Sequence, residues 1–272
     1  MRKVEINILS GSGNIFSVID NLETVTSFNE IKENVDKLCN LDNYKTEGII
    51  LLNNSIEKYD FTCDFLNPDG SSGMMCGNGG RAILFFAKQK ALFNHKAKFR
   101  LSGIDYSGTV EDNFVTIKFP PPLQFIDNIE IETSLGKLTV AYVNIGTDHC
   151  VINANQLPDN FNINIIGKEI RQHKMFGKRG VNANFYQLKS NDLISIRTYE
   201  RGVEGETGAC GTGAISTALI TNLRGETNNP LNLIPTSQSV VKVEFQGSFP
   251  NKIDNICYSG NVELLDKIIV EY

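Results

Sequence analysis

A duplication constrains this chain more than any other feature. Residues 74–87, MMCGNGGRAILFFA, and residues 208–220, GACGTGAISTALI, both run cysteine, glycine, polar residue, glycine, then an apolar segment. Cys76 and Cys210 stand 134 positions apart (210 minus 76). A second pair keeps nearly the same offset: SGSGNIFSVID at 10–20 resembles VNIGTDHCVIN at 143–153, with Gly13 and Gly146 133 apart (146 minus 13). Ile83, Phe86 and Ala87 fall at i, i+3 and i+4, the spacing of one helix face, so each cysteine is expected at a helix N-terminus. Unpaired backbone N–H groups and the positive end of the helix dipole favour an anion there, either a thiolate or a bound carboxylate. Two half-length units, each presenting one cysteine on a helix tip, can face each other across a cleft and work on both faces of one carbon.

At 272 residues the chain is long enough for two domains of ordinary size, and the duplication favours two. A hydrophobic content of 41% supports well-formed cores, and a formal net charge of −5 without a basic cluster argues against nucleic acid as a partner. No apolar run approaches the roughly 20 residues that span a bilayer. MRKVEINILSGSGN lacks the apolar stretch and cleavage site of a signal peptide. The expectation is a cytoplasmic protein. Its six cysteines, Cys39, Cys63, Cys76, Cys150, Cys210 and Cys257, form no CxxC pair and read as free thiols. The three histidines, His95, His149 and His173, and these cysteines show no zinc spacing; no metal is expected.

Taken in order, VEINIL (4–9) and IFSVID read as strands around the turn SGSGN, whose lone GxG is weak as a dinucleotide signal without a following helix. Ser27 and Glu30 have capping-box spacing, and Ile31, Val35 and Leu38 give a helix face. GIILLN (48–53) and YDFTCDF (59–65) resemble a hairpin; NPDGSSG (67–73) is a turn leading to Cys76; AKFRLSG and FVTIKF are strands. Pro120, Pro121 and Pro122 cannot continue a central strand and mark a linker. The second half repeats the order: strands in KLTVAYVNIG (137–146), HCVINAN, VNANFYQL and DLISIRTY, a helix near 164–175, the loop ERGVEGETG (200–208) before Cys210, and closing strands SVVKVEF and KIIVEY. The expected fold is α+β, with two pseudo-symmetric lobes, each a curved, mostly antiparallel sheet wrapped on a central helix. Residues 1–120 form the first lobe, joined by the last strand at 264–272, and residues 123–263 form the second.

One cysteine at a helix tip is compatible with a buried, inert thiol. Two at equivalent positions of a repeat are hard to explain by packing. A thiolate on one face of an α-carbon can take its proton while a thiol on the other delivers one, with the roles exchanged in reverse. Close together, the two cannot both ionise cheaply, so they titrate as a coupled pair.

The stretches GSGN-F, NPDGS…MCGNGGR and ERGVEGET-ACGTGA resemble the diaminopimelate epimerase family, cofactor-independent enzymes that convert LL- to meso-diaminopimelate in bacterial lysine and peptidoglycan synthesis. The resemblance runs from Gly11 to Gly260, where YSG stands for the family's usual TG. It implies the two-lobed fold with the last strand returning to the first lobe, and no cofactor. It implies Cys76 and Cys210 as the acid/base pair. Backbone amides at Gly77, Asn78, Gly211 and Thr212 would hold the reacting carboxylate. Asn14 matches an asparagine of the first glycine turn, and Asn67 and Asn182 match side chains that recognise substrate. Glu200 and Arg201 match the pair that grips the distal ammonium and carboxylate. His149, in GTDHCV, is either support for catalysis or a satisfied polar residue. Expected partners are a small amino-acid substrate and, undecided by sequence, a second copy in a homodimer; neither nucleic acid nor membrane is expected.

Thr147–Asp148 stands where the family commonly has Asn-Pro or Ser-Pro, which puts an extra carboxylate near the distal end of the substrate. Ile15 replaces a frequent aspartate, without a physical account. Two alternatives stay open: a racemase or epimerase of another amino acid on the same fold, and a non-catalytic amino-acid-binding or redox-sensing protein. Proline racemase-like enzymes commonly carry histidine where this chain has Asn78, and a substrate without a charged tail gives Glu200 and Arg201 no purpose.

Overall fold

The computed structural model describes residues 2–23, 26–56, 58–72, 77–247 and 252–272. Cys76 and the end of the turn that leads to it, at 73–76, lie outside the described residues. The chain divides into two compact units, Met1–Lys118 with Ser259–Tyr272, and Phe119–Tyr258.

The first unit is a ring of eight strands. Lys3–Gly11 pairs with Asn14–Asp20, and the order continues through Ile49–Asn53, Phe61–Leu66, Lys96–Leu101, Ile104–Glu111 and Phe114–Phe119 to the last strand, Asp254–Glu271, which pairs back with Lys3–Gly11. All these pairs are antiparallel except Asn14–Asp20 with Ile49–Asn53 and Phe61–Leu66 with Lys96–Leu101. The turn SGSGN is a two-residue hairpin with positive φ at both Ser12 (55°) and Gly13 (88°), the geometry that matches strand twist.

Inside this ring runs the helix Gly77–Gln89, buried from Gly77 through Leu84 and again at Phe86 and Ala87. It packs on Lys3–Gly11, Asn14–Asp20, Ile49–Asn53 and Ile104–Glu111. The approach is close enough that a Cβ on Gly11 would sit 2.7 Å from the Asn78 carbonyl oxygen. The outer face carries two short helices, Phe28–Glu33 and Val35–Cys39, whose Ile31, Val35, Leu38 and Cys39 pack on Val4, Ile6, Ile8 and Ile19. Strands sandwiched between two helical layers are buried on both faces, which is why 49–52 is an unbroken apolar run.

The capping box expected at Ser27 does not form: Ser27 occupies the N-cap without a side-chain bond, and Glu30 turns away to Arg2, 2.8 Å from its Nη1. Nor is the helix continuous. Asn34 leaves helical geometry (φ −112°, ψ 12°) and its side chain donates to the Glu30 carbonyl, the backbone competition by which asparagine interrupts helices.

The second unit repeats the plan. Its order is Gln124–Thr133, Gly136–Asn144, Asp148–Asn153, Asn182–Ser190, Leu193–Glu200, Leu231–Ile234, Val241–Gln246, then the start of the last strand. The parallel pairs recur at the corresponding places, Asp148–Asn153 with Asn182–Ser190 and Leu193–Glu200 with Leu231–Ile234. The buried helix Gly211–Leu223 is the counterpart of Gly77–Gln89, both 13 residues long. The outer helix Ile163–Arg171 sets Ile163, Ile166 and Ile170 on Leu138, Val140, Ile152 and Phe185, each such buried side chain contributing about 1.5–3 kcal/mol. The α+β class, with a curved, mostly antiparallel sheet on a central helix, is the observed one.

Several strands were not expected from sequence: the short Asn40–Leu41, Tyr44–Lys45, Gly205–Thr207 and Leu231–Ile234, and two longer ones. Ile104–Glu111 is largely exposed, with only Gly108 buried, and Gln124–Thr133, just past the three prolines, buries only Ile131. A strand without an apolar face carries no alternation to read.

Candidate active site

Cys210 closes the loop that leaves strand Leu193–Glu200 and stands as N-cap of Gly211–Leu223 in extended backbone (φ −121°, ψ 111°). Gly211, Thr212 and Gly213 supply the first turn, whose amides have no partner inside the helix. The thiol is half-buried, with Sγ 3.7 Å from Thr212 Oγ1. A short strand, Gly205–Thr207, folds back on Leu193–Glu200 and pairs Glu200 with Gly205. This brings Thr207 Oγ1 onto Glu200 Oε1 as a donor. The Cys210 thiol also hydrogen-bonds to that carboxylate. Burial pushes the Glu200 carboxyl above the usual range, and the bonds from Thr207 and Cys210 oppose this. The acid expected at the far end of the substrate therefore touches the cysteine expected to carry protons.

Behind Cys210 lies a buried polar network. A Cβ on Gly213 would meet Asn184 Oδ1 at 2.2 Å, so only glycine admits the helix here. Asn184 Oδ1 accepts from Thr198 Oγ1 (3.1 Å), and its Nδ2 donates to the Cys150 carbonyl (3.0 Å) and lies 3.1 Å from His149 Nδ1. His149 Nε2 is 2.8 Å from Thr147 Oγ1. With Nδ1 accepting from Asn184, the proton sits on Nε2 and is donated to Thr147. The ring is fully buried, and desolvation pulls its pKa down to about 3 despite the opposing charge of Asp148. His149 is thus a neutral, satisfied side chain.

A second cluster assembles from strands Asp148–Asn153, Asn182–Ser190 and Leu193–Glu200. Asn182 Oδ1 accepts the Arg201 backbone N–H (2.8 Å) and its Nδ2 donates to the Asp148 carbonyl (3.3 Å). Arg201 Nη1 donates to Asp148 Oδ2 (3.2 Å) and to the Gly180 carbonyl (3.1 Å). Arg179 Nε stands 3.5 Å from the same Oδ2. Tyr142 Oη (2.8 Å) and Asn144 Nδ2 (3.0 Å) donate to Oδ1.

In the first unit Gly77 and Asn78 open the buried helix. Asn78 Nδ2 donates to Asn14 Oδ1 (2.8 Å), and Asn14 Nδ2 donates to Glu47. The buried Arg81 donates from Nη2 to Asn78 Oδ1 (2.7 Å) and Ser12 Oγ (2.8 Å). Asn67 lies apart from this network, its amide closing the turn onto Ser71 Oγ at 2.9 Å. Cys39, Cys63 and Cys150 are buried free thiols, each with its pKa raised by desolvation, as core cysteines should be.

Sequence reasoning overlooked Glu47, Ser12, Asn184, Thr207 and Arg179. Asn184 had a signal: with Asn182 it places two amides at i, i+2, on one face of a strand whose neighbours are Ala183 and Phe185.

Among solved structures, the chain resembles a phenazine biosynthesis protein of the PhzF family from Bacillus anthracis (TM-score 0.75, 12% identity, all of both chains). It also resembles a hydroxyproline epimerase from Agrobacterium vitis (TM-score 0.70, 14% identity, 99% of this chain and 92% of that one). At such identities the likeness shows the fold. In sequence, the chain is 35% identical over 253 residues to a diaminopimelate epimerase of Aquifex aeolicus, covering 87% of this chain and 88% of the relative. It is 33% identical over 261 residues to one of Flavobacterium psychrophilum, covering 94% and 95%. The family model described as diaminopimelate epimerase matches residues 6–118 and 141–264, both halves of the repeat and both cysteine stretches, and the chain belongs to the diaminopimelate epimerase family of isomerases.

Proposed function

We propose that the protein epimerises LL-2,6-diaminopimelate to the meso form without a cofactor, by proton transfer at the α-carbon between Cys76 and Cys210. The observation that carries this reading is the placement of Cys210 at the tip of a buried helix, half-buried and hydrogen-bonded to Glu200, with an equal helix beginning at Gly77, 134 positions earlier (211 minus 77). The names and coverage of the relatives support the substrate.

In the forward reaction one cysteine, as thiolate, takes the α-proton and the other, as thiol, returns one to the opposite face. Amides of Gly77, Asn78, Gly211 and Thr212 hold the reacting carboxylate, which is anionic and suits helix N-termini. Glu200, beside Cys210, supplies an acceptor for the thiol proton in addition to its assigned part toward the distal ammonium. Arg201, fixed by Asn182, takes the distal carboxylate; Asn67 and Asn14 complete the polar lining.

The test is deuterium incorporation at Cα from D₂O with LL-diaminopimelate beside a panel of simpler amino acids. Exchange confined to diaminopimelate, and lost in Cys210→Ala, is the expected result. Faster exchange of a monocarboxylic amino acid would overturn the substrate assignment, and exchange that survives Cys210→Ala would overturn the two-thiol mechanism.

A further inference from the structure

Asp148 is where this chain leaves the pattern of its family, and its carboxylate is fully engaged. Tyr142 and Asn144 donate to Oδ1; Arg201 and Arg179 meet Oδ2 at 3.2 Å and 3.5 Å. The Asp148 and Arg201 side chains are 13% and 18% exposed, so their pairing is largely desolvated and breaking it leaves an uncompensated charge. Two guanidinium groups on one carboxylate leave a net charge of +1, so the cluster is not neutralised.

The geometry also fixes where that charge is offered. Nη1 of Arg201 spends its two hydrogens on Asp148 and on the Gly180 carbonyl, and the backbone of Arg201 is held by Asn182. Nε and Nη2 have no partner among the described residues. Those two nitrogens present parallel N–H bonds, the fork that grips one carboxylate in bidentate fashion. Arg179, with its side chain 65% exposed, keeps donors beside the same oxygen.

We propose that Asp148 is a positioning residue that pins Arg201 by Nη1 and turns its Nε/Nη2 edge toward the ligand, while Arg179 adds a second guanidinium, so that the site selects amino acids with a carboxylate at the far end. This rests on the function proposed above for Arg201. The opposing possibility, that Asp148 competes with the ligand for Arg201 and favours a substrate without a distal carboxylate, predicts the reverse sign.

Steady-state kinetics of the parent, Asp148→Asn, Asp148→Glu and Arg179→Gln with LL-diaminopimelate separate these outcomes. Asp148→Asn should raise KM about tenfold, the loss of one desolvated partner, with a smaller change in kcat, and Asp148→Glu should recover part of it. Arg179→Gln, at an exposed position that leaves folding intact, should raise KM about two- to fivefold; if Asp148→Asn does not fold, Arg179→Gln and Asp148→Glu carry the test. A KM within twofold of the parent in Asp148→Asn and Arg179→Gln reduces the cluster to a structural one, and a lower KM in Asp148→Asn makes Asp148 a competitor; either overturns the proposal. If the parent does not turn over LL-diaminopimelate, the reading of the substrate fails on its own. The same proteins are then titrated calorimetrically with L-2-aminoadipate and L-lysine, whose far ends do and do not carry a carboxylate. Weakened binding of L-2-aminoadipate alone in Asp148→Asn supports the positioning role, and equal or tighter binding removes it.

Discussion

Cys210 and Arg201 divide the labour of the proposed reaction, and their substitutions should fail differently. Cys210→Ala removes the proton carrier on one face and should abolish epimerisation; Cys210→Ser keeps the geometry but replaces the thiol with a far weaker acid, and should remain severely impaired. Arg201→Ala leaves the thiols reactive and removes the charge partner of the distal carboxylate, a loss of about 2–5 kcal/mol. Its kcat/KM with LL-diaminopimelate should fall more than tenfold, with kcat reduced too, because remote binding energy serves the reacting centre; a neutral variant would remove Arg201 from the site. His149 gives a pH signature instead. Its folded pKa of about 3 lies below the 6.5 of the unfolded chain, so the unfolded state binds the extra proton. The stability that the neutral ring contributes is complete above pH 6.5 and is lost as pH falls toward 3, by about 1.4 kcal/mol per unit. Glu200, its pKa raised, has the opposite sign: its contribution is complete below 4.5 and declines as pH rises through its folded value. Urea unfolding of a His149→Gln variant between pH 4 and 6.5 should show the acid slope reduced by about one proton relative to the parent.

Among the elements, the two buried helices make the sharpest demand on sequence. A methyl on Gly213 would enter Asn184 Oδ1 at 2.2 Å and displace the amide that holds His149 and Thr198; Gly213→Ala should cost about 2–3 kcal/mol and impair turnover through Cys210, 3.3 Å away at Cβ. A methyl on Gly79 meets the edge of the Phe16 ring at 3.3 Å and Ile50 Cδ1 at an ordinary 3.6 Å, and the better helix propensity of alanine offsets part of the tight contact, so Gly79→Ala should cost less than about 1 kcal/mol. Chemical denaturation of the two variants side by side checks the ranking. The helices were legible in the sequence because the repeat prints them twice, and so were strands buried on both faces, such as Ile49–Asn53. Ile104–Glu111 and Gln124–Thr133 were not, since their stability comes from pairing rather than from an apolar face. The motif names Glu200 and Arg201 as candidates, but gives no sign of the bond between Arg201 and Asp148. Those residues are 53 positions apart and meet only because Asn182–Ser190 pairs parallel on one side and antiparallel on the other.

For the molecule as a whole, the decisive element is the last one. Strand Asp254–Glu271 begins in the second unit, and from Ser259 onward it lies between Phe114–Phe119 and Lys3–Gly11 and completes the ring around Gly77–Gln89. A chain ending at Tyr258 should keep the second unit protected from protease and hydrogen exchange while the first unit opens along both unpaired edges; equal protection of both units in the truncated chain would show that the ring does not need its eighth strand. There is a consequence for biosynthesis. A ribosome makes residues 1–118 before the second unit, yet the first unit lacks one of its eight staves until residues 259–272 have cleared the exit tunnel. Its N-terminal half must therefore wait, with two strand edges bare, for the whole second unit to be translated, and the pairing that ends the wait joins residues more than two hundred positions apart, of the kind that forms slowly. The half of the chain that is born first is the half that finishes last.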